Sequence, residues 1–277
     1  MAGFDLHVHT NRSDGTFTPA EAVQLAVERG LTGVAITDHD TLEGLDEAAE
    51  AAGDRIVLIP GIEFSAEYDG ASLHVLAYWI DPGNEELRSE LKRLTDTRFR
   101  RGELMVEKLQ ELGYPIDFDR VRQIAGGDTI ARPHVAQAMV EADIVPNEKA
   151  AFTEEFIADG GRAWVPKHAL HPLAALALIG GAGGVCVLAH PGMWKGQGSV
   201  PDDLIEVMAE GGMVGLEVDH PDHDETQRAR YRSMAERLDL VPTGASDCHG
   251  HRYEPVRLGC ETTDAGRFAE LRRRAGL

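Results

Sequence analysis

The sequence contains little cysteine, few basic residues relative to acidic ones, and no long apolar run. Its 277 residues include three cysteines, an odd number without C-x-x-C spacing, which argues against a disulfide framework. No segment approaches the roughly 18 consecutive apolar residues of a membrane-spanning helix. The first residues also lack the basic start and apolar stretch of a secretory signal. These absences predict a cytoplasmic protein that does not bind membranes, and they leave its oligomeric state open.

The excess of acidic residues limits which classes of macromolecule the protein is expected to bind. The chain has 27 Lys and Arg against 47 Asp and Glu, which gives a formal net charge of −20. A groove that follows a long nucleic acid needs massed basic side chains to neutralise phosphates, so a long duplex is excluded as the expected partner. The chain instead has twelve histidines, several of them beside Asp or in H-x-H pairs. This composition is typical of a metal-binding protein.

Short apolar segments alternate with helical patterns along most of the chain. The segments are aliphatic or β-branched and are bounded by Gly or Pro, as in buried parallel strands. We predict strands at 4–8, 33–37, 57–62, 73–79, 185–189, 214–218 and 240–244, with a further candidate at 257–260. We expect helices at 18–29, 42–52, 172–179, 201–210, 224–238 and 264–274. This alternation predicts an α/β fold, either a βα barrel or an open sheet.

A helical segment interrupts the alternation after the fourth strand. It contains no convincing strand pattern, and helices are predicted at 85–112 and after residues 116, 132 and 147. We therefore predict a barrel whose first part is 1–83 and whose second part is 162–277. The mainly helical insertion domain, 84–161, is expected to lie between them as a cap over the substrate.

Several residues are expected to have ordinary structural roles. Arg98, Arg100 and Arg101 are expected on a solvated helix face of the insertion, with an extension of the basic substrate rim as the alternative. His223 is expected at the surface. Cys248 should pack against the side of its strand that faces away from the histidines, because alternate side chains point to opposite faces. It is not predicted to be a nucleophile, since no separate base is positioned for it.

Histidine and carboxylate residues follow the ends of the predicted strands. His7 and His9 are two residues apart, so both imidazoles point to one face of the first strand. Because the carboxyl ends of parallel strands meet at one rim of a barrel, side chains from distant segments should converge there. The candidates are His7, His9, Asp14, His39, Glu63, His74, His190, Asp247 and His249. So many nitrogen and oxygen ligands exceed the needs of one ion and predict two or three divalent ions.

Four segments resemble the motifs of the PHP (polymerase and histidinol phosphatase) superfamily in order and placement. They are residues 4–10 (FDLHVHT), 36–40 (ITDHD), 189–191 (AHP) and 246–250 (SDCHG). The size and the insertion resemble its stand-alone phosphoesterases, which include nucleoside 3′,5′-bisphosphate phosphatases and 5′-to-3′ exoribonucleases. The resemblance implies a distorted (β/α)7-type PHP barrel with three divalent ions, manganese first and zinc or iron as alternatives. It implies one ion on His7, His9, Glu63 and Asp247, a second on Glu63, His74 and His190, and a third on Asp14, His39 and His249.

The resemblance and the ligand chemistry together predict a metal-dependent phosphoesterase. The expected reaction is attack of a metal-bound hydroxide on a phosphorus atom of a small nucleotide. The expected substrate is the 3′-phosphate of a nucleoside 3′,5′-bisphosphate or the 5′ end of a short oligoribonucleotide. Histidinol-phosphate phosphatase, a metal-dependent amidohydrolase and a domain whose metals only support assembly are the alternatives.

Further residues are candidates for binding the substrate. Arg132 and His134 lie at the start of a predicted helix, where an anion is favoured, and the resemblance implies that they hold a phosphate that is not cleaved. His220 is a candidate for contacting the substrate or protonating the leaving oxygen. His168 and Trp194 are candidates for substrate contact.

Overall fold

The strands and helices of the computed structural model follow the predicted order closely. The structure describes residues 3–126, 130–166, 169–193 and 198–277. Its strands are β1 (Phe4–Asp5), β2 (Gly33–Ile36), β3 (Val57–Tyr68), β4 (Ala71–Tyr78), β5 (Val185–Leu188), β6 (Gly215–Asp219) and β7 (Val241–Gly244). Its helices are α1 (Pro19–Glu28), α2 (Leu45–Ala52), α3 (Glu85–Glu111), α4 (Phe118–Ala125), α5 (Arg132–Glu141), α6 (Glu148–Ala151), α7 (Pro172–Gly181), α8 (Asp202–Glu210), α9 (Glu225–Arg237) and α10 (Ala265–Arg274). Within the described ranges, no helix is both long and apolar enough to cross a membrane.

The strands form one sheet that curls into a nearly closed barrel. Their order in the sheet is their order in the chain, from β1 to β7. A parallel bridge joins Val8 to Cys248, and an antiparallel bridge joins Phe4 to Thr263, so that the gap between β7 and β1 is spanned. The Thr263 hydroxyl also donates to the carbonyl of Gly244 in β7 at 2.9 Å. The predicted seven-stranded barrel is therefore confirmed.

The prediction of parallel strands is wrong for β4, which is antiparallel to both of its neighbours. Asp69 and Gly70 connect β3 to β4 with φ values of 50° and 76°, the left-handed pair that a two-residue type I′ turn requires. The reversal puts the start of β4 at the rim where the parallel strands end, and this start carries His74. The candidate strand at 257–260 is also wrong, since that segment forms turns.

Apolar side chains fill the barrel below this rim. Leu6, Ile59, Leu76 and Val187 come from different strand segments and lie in one buried cluster. The Tyr78 hydroxyl in this cluster donates to a backbone carbonyl at 2.7 Å, so its polar atom is satisfied. Because the interior is packed, polar groups and ligands can lie only at the rim and not in the centre of the barrel.

Helices α3 to α6 lie between β4 and β5 in the chain and have a hydrophobic core of their own. Leu109 of α3, Val121 of α4 and Met139 of α5 are buried in this core, which is separate from the clusters of the barrel. The described part of the segment contains no strand, as predicted. Helix α3 also packs on the barrel, since Leu87 and Leu94 are buried in a cluster with side chains of β3 and β4.

The expectation of a solvated arginine face on α3 is wrong for two of its three residues. Arg98 is buried, and its Nε donates to Asp40 Oδ2 at 2.7 Å. Arg101 is also buried, and its Nε donates to the Val165 carbonyl at 2.7 Å. Arg100 is exposed, as expected. Since Asp40 follows β2, the buried ion pair with Arg98 joins the insertion to the barrel rim.

Arg98→Met should destabilise the protein strongly, whereas Arg100→Met should not. The first substitution leaves the Asp40 carboxylate, which is 1% exposed, without its guanidinium, and breaking a buried pair costs about 3–5 kcal/mol. The second removes an exposed ion pair on the same helix and should leave the free energy of unfolding close to that of the wild type. Urea unfolding measures both variants. Equal losses would contradict the docking role of Arg98.

Candidate metal centre

All nine side chains predicted as metal ligands converge at one rim of the barrel. His7 and His9 continue the line of β1, and their spacing directs both rings to one side of the chain. Glu63 lies within β3, and His74 lies within the reversed strand β4. The remaining side chains come from loops that follow a strand or precede α1: Asp14, His39, His190, Asp247 and His249.

The loop that carries Asp14 is fixed by the neighbouring carboxylate of Asp38, which is 1% exposed. Asp38 Oδ1 accepts from the Thr10 amide at 2.7 Å and from the Ser13 hydroxyl at 2.6 Å. A Cβ atom at Gly15 would lie 2.5 Å from a backbone oxygen, so only glycine allows the loop to fold back this closely. Asp38 therefore positions the loop and is not part of a solvated segment.

The Glu63 carboxylate lies at the centre of the cluster and is 1% exposed. Its Oε1 is 2.9 Å from His74 Nδ1 and 3.2 Å from His190 Nε2. Its Oε2 is 2.9 Å from His39 Nδ1 and 3.2 Å from His9 Nε2. Because imidazoles approach both of its oxygens, this carboxylate has the surroundings that a bridging ligand needs.

In the described part of the chain, three groups of ligand atoms could each hold a metal ion, since the atoms of each group lie within 4.8 Å of one another. The groups are His9, Asp14, His39 and His249; His7, His9 and Glu63; and His39, Glu63 and His74. Asp247 lies beside the second group, with Oδ1 at 3.3 Å from both His7 Nε2 and His9 Nε2. These groups overlap the ligand sets that the resemblance implies, and the division of ligands among ions stays a prediction.

The chemistry of the cluster fits divalent metal ions. Among the described residues, the buried atoms His39 Nδ1 and Glu63 Oε2 lie 2.9 Å apart without a well-directed hydrogen bond, and buried His220 Nε2 also has none. His7 Nε2 and His9 Nε2 face each other at 3.1 Å. Buried polar atoms without partners are costly, and mixed imidazole and carboxylate donors are the set that borderline divalent metals accept. A cation would satisfy both nitrogen and oxygen atoms.

Imidazoles and carboxylates in the cluster stabilise each other's charged forms. Burial raises the pKa of Glu63, but His74 and His39 hold that pKa well below its ordinary value. Burial lowers the pKa of His9, but hydrogen bonds to Asp247 and Glu63 raise it to about 10. A bound cation would compete with these protons, so metal binding should release protons and weaken as the pH falls.

A cavity of about 340 Å³ separates the cluster from the insertion. Predicted metal ligands line it together with three aromatic side chains, Phe152, Trp164 and Tyr253. Four arginines also line it: Arg98, Arg101, Arg132 and Arg252. Arg98 and Arg101 were expected at a basic rim only as the alternative to a solvated helix face. Arg252 was not predicted here, although it closely follows the last motif.

The two residues predicted to hold a phosphate lie at the start of α5. Arg132 lines the cavity, and its Nη1 donates to Asp159 Oδ1 at 2.8 Å. His134 is 3% exposed, and its Nδ1 accepts from the Ala131 amide at 3.1 Å, so it caps the helix. Burial lowers the pKa of His134 to about 4, which keeps this imidazole neutral at neutral pH.

The structure can be compared with the sequence predictions for some of the remaining residues. His168 and Trp194 lie outside the described residues. His223 was expected at the surface and this is wrong: it is 4% exposed, and its Nε2 accepts from the Gly192 amide at 3.1 Å. Cys248 is fully buried, and burial raises the pKa of its thiol to about 11, in keeping with a packing role.

Comparison with known proteins gives relatives along nearly the whole chain. The PHP domain model matches residues 5–115. The chain is 32% identical to a 3′,5′-nucleoside bisphosphate phosphatase of Chromobacterium violaceum, over 90% of this chain and 88% of the relative. It is 30% identical to a 5′-3′ exoribonuclease of Haemophilus influenzae, over 89% of each. A solved structure from Bifidobacterium adolescentis, assigned as a metal-dependent phosphoesterase, has a TM-score of 0.92 and 38% identity, and covers 99% of this chain and 96% of that one.

The barrel, the ligand cluster at its rim and these relatives together define a metal-dependent hydrolase of phosphate esters. The chain belongs to the PHP family. The resemblance carried by the four sequence motifs is thereby confirmed, and so is the enzyme class that it implied.

His9→Ala should cost more than one bound metal ion, because His9 contributes to two of the three ligand groups. His251→Ala is the matched control, since its side chain is 64% exposed and lies outside these groups. The metal content per chain is measured by mass spectrometry after equilibration with manganese and gel filtration. A His9→Ala protein with the full metal content of the wild type would show that these groups are not the metal sites.

Proposed function

We propose that the protein hydrolyses a phosphate ester of a small nucleotide. The substrate is the 3′-phosphate of a nucleoside 3′,5′-bisphosphate or the 5′ end of a short oligoribonucleotide. The observation that carries this proposal is one cavity with predicted metal ligands on one wall and four arginines around it. Relatives are named for activities of these two kinds. A substrate with two phosphate groups can place one at the ligand cluster and the other against the arginines.

The proposal includes three divalent ions, with manganese first and zinc or iron as alternatives. Three ligand groups and a central Glu63 support this number. When bound, such ions activate water and neutralise charge on the phosphoryl oxygens. Asp14, Glu63 and Asp247 remain ionised, because neighbouring histidines hold the pKa of each carboxyl well below its ordinary value. These three carboxylates can therefore anchor cations without first losing protons.

Arg101 supports an anionic group on the insertion side of the cavity. It is 8% exposed, and no salt bridge joins it to a carboxylate in the described part of the chain. Burial and, to a smaller extent, the charges of Arg132 and Arg98 together lower the pKa of Arg101 to about 9, although the charge of Asp159 opposes them. A buried guanidinium beside like charges is unfavourable unless an anion balances it. A phosphate is the anion whose geometry best fits such a group.

The insertion, residues 84–161, is proposed to act as the cap that selects the substrate. Arg98, Arg101 and Arg132 all come from it and line the cavity. In this proposal, Arg132 holds the phosphate that is not cleaved, and neutral His134 keeps the start of α5 in place through its helix cap. The cytoplasmic location stays a prediction from the sequence.

His220 is proposed to orient Asp247 rather than to contact the substrate. It is fully buried, and its Nε2 lies 3.5 Å from Asp247 Oδ2. Its Nδ1 accepts from the Asp222 amide at 3.1 Å, which fixes the ring from the other side. Both nitrogens face protein atoms, so in this proposal His220 acts through Asp247 and not as the proton donor to the leaving oxygen, and the predicted donor role stays a prediction.

Phosphate release from a panel of substrates tests the proposed activity. The panel contains nucleoside 3′,5′-bisphosphates, mononucleotides, short RNA and histidinol phosphate, each with manganese, zinc and iron. We expect bisphosphates or short RNA to be turned over most efficiently. The relatives do not favour the histidinol phosphatase and amidohydrolase alternatives. A clear preference for histidinol phosphate would overturn the proposed substrate class.

Arg132→Ala should mainly raise KM for bisphosphates and reduce the preference for them over mononucleotides. Loss of a charged hydrogen bond to phosphate costs about 1.5–3 kcal/mol, which corresponds to roughly a 10–150-fold rise in KM. Arg122→Ala is the control, because this arginine lies on the exposed surface of the same insertion. An unchanged ratio of bisphosphate to mononucleotide turnover in Arg132→Ala would show that Arg132 does not hold the second phosphate.

A further inference from the structure

Glu217 of β6 is a fully buried carboxylate that is not among the predicted metal ligands. Its Oε1 lies 3.1 Å from His7 Nδ1. Its Oε2 accepts from the backbone amide of His190 at 2.7 Å. One carboxylate thus contacts two predicted ligands that come from opposite sides of the rim, one after β1 and the other after β5.

The contact with His7 sets which ring nitrogen carries the proton. An ionised carboxylate only accepts, so Nδ1 must donate to Oε1. In the neutral imidazole that a metal ligand requires, the lone pair is then on Nε2, which faces the cluster at 3.3 Å from both Glu63 Oε1 and Asp247 Oδ1. A hydrogen bond of this kind fixes the tautomer and the ring orientation that a metal ligand needs.

The contact with His190 holds a strained backbone. His190 has a φ of 25°, in the left-handed region that residues with a side chain rarely adopt. Such a conformation persists only where surrounding contacts enforce it. The charged acceptor on its amide is such a contact, and it leaves His190 Nε2 at 3.2 Å from Glu63 Oε1.

We propose that Glu217 is a positioning residue of the metal centre, in which one oxygen orients the His7 ring and the other holds the His190 backbone. The inference rests on the proposed metal centre but not on the identity of the substrate. It assigns Glu217 to the ions held by His7 and His190, and not to the group of His9, Asp14, His39 and His249.

Glu217→Gln is the sharpest variant, because it keeps the size of the side chain and removes one acceptor. The amide nitrogen cannot accept from His7 Nδ1–H or from the His190 amide, so one of the two contacts must fail. We expect the affinity for manganese or zinc to fall by about 10–100-fold at the sites that use these histidines. Calorimetric titration of metal-free protein measures this, and one class of sites should keep its affinity.

Asp219→Asn is the matched control on the same strand. The substitution makes the same change from carboxylate to amide. In the wild type, however, the Asp219 carboxylate pairs with Arg232 and Arg267, at 2.5 and 3.4 Å, away from the cluster. It should bind metal as the wild type does. Glu217→Asp is a second variant for the case in which the glutamine protein does not fold. It keeps the charge but is too short to reach both partners, so it should also lose affinity.

The tautomer of His7 gives a readout that a merely structural role would not change. Long-range ¹H–¹⁵N spectra of the zinc-loaded protein should show His7 protonated at Nδ1 in the wild type and in Asp219→Asn. Glu217→Gln should lose this signal or shift it. Wild-type affinity together with an unchanged His7 signal in Glu217→Gln would overturn the inference. A wild-type protein that takes up no metal would instead overturn the proposed metal centre.

Discussion

The structure depends on the crowding of imidazole and carboxylate groups at a rim from which water is largely excluded. Glu63 lies 2.9 Å from nitrogens of both His39 and His74 and is 1% exposed. Charged groups in such surroundings are stable only when opposite charges balance them. The strands bring these groups together, and the packed barrel below prevents them from relaxing inward. A divalent cation is the partner that best balances the charges of this arrangement. The fold brings the ligands together, and the metal chemistry therefore depends on the fold.

The insertion adds positive charge to the cavity of a protein whose overall charge is negative, since Arg98, Arg101 and Arg132 come from it. The chain has a net charge of −20, yet four arginines line the cavity. Of the carboxylates that line it, Glu63 and Asp247 face histidines and Asp159 pairs with Arg132. Nearby, Asp40 pairs with Arg98. Because the pair of Asp40 and Arg98 also joins the insertion to the barrel, the position of the insertion and the shape of the cavity are coupled. A short anion can thus bind a protein whose overall charge disfavours a long duplex.

The ligand cluster was predictable because short sequence motifs mark its residues. The hairpin before β4 also had a local signal, whereas the contacts of the arginines had none. Two-residue spacing in H-x-H fixes the direction of His7 and His9 whatever the rest of the chain does. The Asp-Gly pair before β4 was a usable hairpin signal, and overlooking it gave β4 the wrong direction. No comparable signal exists for Arg98, because helical spacing cannot show that its neighbour is Asp40, 58 residues earlier in the chain. Contacts between distant segments need the fold.

The most direct test of the account is the anomalous scattering of manganese in crystals of the metal-loaded protein. The account predicts three peaks at the barrel rim, each beside one of the three ligand groups and with Glu63 between two of them. Peaks located away from these side chains, or no peak at the rim at full manganese loading, would contradict it.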